Sequence, residues 1–66
     1  MSNIDNKNQE SISIVRVLNS QDSPLQEGAF YEALPSFVID NVSYTIVEHV
    51  RLGSFMLNTE SLEFIK

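Results

Sequence analysis

The side chains in this chain that could do chemistry are few and scattered. His49 is the only histidine, with Glu48 before it and Arg51 two residues after it, and there is no cysteine. One imidazole cannot build a multi-histidine metal centre, and without cysteine there is neither a thiolate ligand nor a sulfur nucleophile. A serine nucleophile would have to be carried to His49 by the fold, because none of the serines stands in a Gly-x-Ser-x-Gly elbow. Gly28 and Gly53 lie too far apart to form a phosphate-cradling loop. The carboxylates Asp22, Glu27 and Glu32, followed by Asp40, Glu60 and Glu63, lack the closer alternating spacing of a calcium loop. These patterns predict no catalytic residue, no metal and no cofactor, and so a protein that is not an enzyme.

The bulk properties narrow the remaining classes. Sixty-six residues leave room for one domain, which has to protect its sheet by closing on itself or by self-association, since no disulfide can help. The net charge is −5, with Lys7, Arg16, Arg51 and Lys66 as the only cations. Affinity for a phosphate backbone comes from such cations, so direct nucleic-acid binding is not expected. No apolar run approaches the ~18 residues of a membrane span, and the first residues lack the order of a secretory signal. The expected location is cytoplasmic, without membrane contact.

The stretch from Pro35 to Asn58 must position whatever site there is, and it reads as two hairpins. Asp40-Asn41 tolerates positive φ and separates Phe37-Val38-Ile39 from Val42-Ser43-Tyr44-Thr45-Ile46-Val47, the form of a two-residue loop. Ile39 then faces Val42 and Phe37 faces Tyr44. Those four side chains share an apolar side, expected to be buried, with Ser36, Val38, Ser43 and Thr45 opposite. Continued, the alternation assigns Ile46, Glu48, Val50 and Leu52 to the inner side and Val47, His49 and Arg51 to the outer. A reversal near Leu52-Gly53 would place Val50 across from Phe55 and Glu48 across from Leu57. An inward Glu48 is either a recognition group in a half-buried pocket or, more ordinarily, a carboxylate at a fray or bulge of the sheet, in water or paired to Arg16 or Arg51.

Residues 1–11 hold one aliphatic residue after the first methionine and read as a mobile tail, with the domain over 12–66. Ile12 to Val17 is a strand whose phase switches at Ile14-Val15, the signature of a β-bulge or of a strand apolar on both sides; the bulge is the preferred form. Ser23-Pro24-Leu25-Gln26 has capping-box form, so residues 24–33 are either a short helix or part of a long loop with Phe30 or Tyr31 plugging one end. A single helical turn over Thr59 to Ser61 leads into a closing strand with Leu62 and Phe64. The fold class is mainly β: a small antiparallel five-stranded barrel or curled sheet. This order of strands resembles a small SH3-like barrel, a likeness of order alone that implies no particular activity.

Binding is the remaining role. The outer side of the hairpins would carry Val38, Val47 and Met56 with His49 and Arg51, a candidate protein interface. The expected function is a non-catalytic protein-binding module, that is a small subunit, adaptor or inhibitor, with another protein or a second copy of itself as partner. The alternative is an acidic nucleic-acid mimic that occupies a basic DNA- or RNA-binding groove on another protein.

Overall fold

The computed structural model describes residues 12–65, and the expected tail over residues 1–11 lies outside them. Six strands follow one another: β1 (Ser13–Val17), β2 (Phe30–Ala33), β3 (Phe37–Ile39), β4 (Val42–His49), β5 (Gly53–Asn58) and β6 (Leu62–Ile65). A single 3-10 turn, Thr59–Ser61, joins β5 to β6, as expected, and no α-helix occurs among the described residues. All pairings are antiparallel in one sheet that does not close.

β4 is the spine. β5 runs along one edge of it from Tyr44 to His49, while its other edge is shared, β2 pairing at Val47 and Glu48 and β3 at Val42 to Tyr44. β2 and β3 therefore act as one extended segment broken at Leu34-Pro35-Ser36. Pro35 has no N–H to give to a ladder, which accounts for the break. The Leu34 N–H still donates to the Ile46 carbonyl at 2.9 Å. β1 joins β2 to β6 and completes the sheet.

The first hairpin follows its turn chemistry. Asp40 and Asn41 have φ of 51° and 68°, the two left-handed positions of a type I′ turn, and Phe37 faces Tyr44 as Ile39 faces Val42. The second hairpin departs from expectation. Its loop is Val50-Arg51-Leu52, and Gly53, with φ of 101°, pairs with His49. Val47 thus faces Phe55 and Thr45 faces Leu57, three residues from the expected register. The cause is local. His49 Nδ1 accepts from the N–H groups of Arg51 and Leu52, at 3.0 and 3.1 Å, and so ends the strand before Val50.

On β4 the core lies on the side expected to face outward, while on β5 Leu57 and Phe55 face the core and Met56 faces out, as expected. Val15, Val17, Ala33, Val47, Leu57 and Leu62 are buried in it with Leu25. Thr45 is fully buried among them. Phe37, Ile39, Val42, Tyr44 and Ile46 emerge on the opposite, outer side. Both faces of β4 are apolar enough to seal, and the smaller set went inward. The inside of a small curled sheet has little room, which branched Val and Thr side chains fill more readily than the rings of Phe37 and Tyr44.

Two smaller expectations also change. β1 keeps one register with both neighbours, without a bulge, so it is the strand apolar on both sides: Val15 and Val17 inward, Ile14 outward. The segment before β2 is a loop. Ser23 Oγ accepts from the Leu25 N–H and donates to the Ser20 carbonyl, so the local bonds of Ser23 go to a turn and not to a helix start. Glu27 receives the Ser20 N–H, and Gln21 Oε1 receives the Asn58 N–H. Leu25 is buried in the core and Tyr31 packs half-buried against it, while exposed Phe30 begins a strand absent from the sequence analysis.

Candidate functional site

The five residues expected to form an interface do not share a face. Val47 is 0% exposed and belongs to the core. Val38 is 66% exposed, but it lies on the same side of the hairpin as Ser43 and Thr45, near the turn at the sheet edge. Arg51 is exposed on the β4–β5 loop. His49 is half-buried, its ring centroid 5.7 Å from that of Tyr31 and its Nδ1 committed to the turn. Met56 is 54% exposed on the opposite, outer side, directly across from Ile46. Even strand positions of β4 supply that outer side, the reverse of the expectation, whereas Met56 outward and Leu57 inward on β5 agree with it; the three-residue shift of the second hairpin, an odd number, accounts for the difference between the two strands.

What the fold does bring together is an ordered outer face, legible row by row from the pairings. At one end Ile39 faces Val42, and next to them Phe37 faces Tyr44, with ring centroids 6.1 Å apart. The following row is Leu34, Ile46 and Met56. The row after that crosses five strands as Ile65, Ile14, Glu32, Glu48 and Ser54. A cleft of about 420 Å³ opens at this row, lined by Ile14, Phe30, Glu32, Glu48 and Val50 together with Tyr31 and His49. Glu48 is exposed there, the more ordinary of its two expected placements, but beside Glu32 and not beside an arginine.

The electrostatics of the face are uneven. Glu32 and Glu48 are direct cross-strand partners, an arrangement in which like charges oppose folding. Arg16, two positions along β1 from Ile14, lies 3.2 Å through Nε from Glu63 Oε1. That contact is Coulombic, without the alignment of a hydrogen bond. It is the one ion pair among the described residues.

A second polar cluster lies on the core side. Ser36 Oγ and Thr45 Oγ1 are 2.7 Å apart, Thr45 Oγ1 and Thr59 Oγ1 2.9 Å, and Thr59 Oγ1 and Ser43 Oγ 2.7 Å. Four hydroxyls in series satisfy one another and tie β4, and Ser36 just before β3, to the 3-10 turn. No base is among them, so the arrangement is a structural clasp. Among the described residues no three acidic, histidine or cysteine side chains converge as metal ligands.

No family model, curated protein or solved structure matches the chain. Among the described residues no helix is long and apolar enough to cross a membrane. On the side away from the core Ile39 and Val42 are exposed and Phe37, Tyr44 and Ile46 are half-buried, and together they form the strongest pattern in the chain. Their alternation was the signal, and it was read as core.

Proposed function

We propose that the protein is a non-catalytic binding module that docks on another protein through the outer face of β3, β4 and β5. The observation that carries this reading is the placement of Ile39, Val42, Tyr44, Ile46 and Met56 side by side on the side away from the core. Contiguous apolar surface on a small domain is costly to leave in water, and a partner that covers it recovers that cost. Ile46 and Met56 replace Val47 as the central residues of the proposed contact, and Met56 adds a flexible side chain suited to an irregular partner surface.

The order of the elements supports an SH3-like reading of the sheet: a strand, a long folded loop, a strand broken at Pro35, two hairpins, one 3-10 turn and a last strand. Such an architecture hosts many binding roles, so it is the outer face and not the strand order that carries the functional reading. Ile46→Glu and Met56→Glu are the test. Each places a charge at the centre of the face without touching the core, so the circular dichroism spectrum should stay that of the wild type. Partners recovered with the wild-type chain from its native cell should be lost with both variants. Folded variants that retain every partner would overturn the reading.

A further inference from the structure

Resting on that reading, we infer that the outer face takes a protein segment carrying an arginine between apolar residues, and that Glu32 and Glu48 receive the guanidinium. The observation is the juxtaposition of two carboxylates across one register position, inside an apolar cleft continuous with the proposed contact face. Glu48 follows Ile46 by two residues and Glu32 precedes Leu34 by two, so the pair forms the row next to Leu34, Ile46 and Met56 on the same side. Ile14 flanks Glu32 directly, while Phe30 and Val50 wall the cleft at 58% and 98% exposure.

Charge complementarity selects the occupant. Directly opposed side chains on an antiparallel pair have Cβ atoms about 5 Å apart, a span that a planar guanidinium bridges with its forked donors. The aliphatic stem of arginine would lie on Ile14 and Phe30 while its head meets the carboxylates, and an aromatic ring there favours the cation further. A lysine ammonium is a compact point charge and lacks the fork. A divalent ion takes six or more oxygens, against two carboxylates here, and no third acidic or histidine ligand converges on them among the described residues. A second copy of the chain is poorly matched, because it would add its own Glu32 and Glu48, and of its two described cations Arg16 already faces Glu63.

The probe is an acetylated and amidated pentapeptide with one arginine between pairs of valines, compared with the same peptide carrying neutral citrulline. Both are titrated into the full-length 15N-labelled protein at low salt. The arginine peptide should shift the amides of Ile14, Glu32, Glu48 and Ile46 and bind at least about tenfold more tightly than the citrulline peptide, the scale of a charge-assisted contact. Glu32→Gln with Glu48→Gln should bring both peptides to the citrulline level, with a melting point no lower than wild type as proof of folding. Equal binding of the two peptides, no binding of either, or a preference that survives the double variant would overturn the inference.

Met56→Glu separates the two ideas. Weakening of both peptides alike is expected. Loss of both peptides by Met56→Glu without any arginine preference in the wild type would leave the docking face standing and remove the arginine. Arginine-peptide binding as tight to Met56→Glu as to the wild type would keep the carboxylate pair and remove the face. Sedimentation of the wild-type chain should show a monomer as concentration rises. A dimer dissolved by Met56→Glu would assign the face to a second copy and overturn the inference.

Discussion

The two faces of β4 differ in a way that hydrophobicity alone would not foretell. The core face presents Thr45 and Val47, both fully buried and both small and branched, over Leu57 and Phe55. The outer face presents Tyr44 and Ile46, larger and no less apolar, over Asn58 and Met56, yet only half-buried. Burial here follows shape. A short sheet that curls over a core this small selects for volume, and the bulkier side chains are left facing out, where their apolar surface becomes available to a partner.

The largest contrast should come from neighbouring residues on the two sides of β5. Leu57→Ala removes a fully buried side chain and should cost about 3 kcal/mol, a large part of what a domain of this size possesses. Met56→Ala, one residue away on the outer side, should change stability by less than about 1 kcal/mol. Urea titrations of both variants measure the difference directly. If the two costs are equal, the outer face is sealed in solution and the contrast between faces is lost.

A smaller effect is expected within the core face itself. Thr45 Oγ1 lies between Ser36 and Thr59, so Thr45→Val breaks two hydroxyl contacts while Ser43 keeps Thr59 satisfied. The expected cost is about 1 kcal/mol, seen as a fall in melting temperature of several degrees. A variant more stable than the wild type would mean that the hydroxyl series opposes stability and serves something other than the fold.

The two hairpins show how far the sequence could be read. Asp40-Asn41 occupies the only two positive-φ positions its turn has, so the register of Phe37, Ile39, Val42 and Tyr44 was open to inspection. Around Leu52-Gly53 the glycine was visible but its position in the turn was not, because His49 decides it by accepting two N–H groups through its side chain. A side chain acting as a turn acceptor leaves no periodic trace. The pairing of Glu32 with Glu48 was hidden for a related reason: it depends on β2, which sat inside a segment read as loop or short helix. His49→Ala should therefore cost about 1 kcal/mol by freeing both turn donors, and His49→Asn should recover part of it, since its carbonyl oxygen offers an acceptor of similar reach. Thermal melts of the pair test this. Equal stability of His49→Ala and wild type would show that Gly53 alone sets the turn.

The smallest expected change has the opposite sign. Glu32→Gln removes one of two carboxylates that face each other across β2 and β4, and should raise stability by a few tenths of a kcal/mol. Both residues are exposed, so the gain should shrink as salt screens the pair in the wild type. Melting points at low and high salt would show the two chains converging. An isolated chain that becomes more stable when Glu32 is neutralised carries that carboxylate at the expense of its own fold, which is expected of a group kept for contact with a cation from outside. If Glu32→Gln instead lowers the melting point at every salt concentration, Glu32 supports the sheet from within, and the outer face loses its reason to prefer a basic partner.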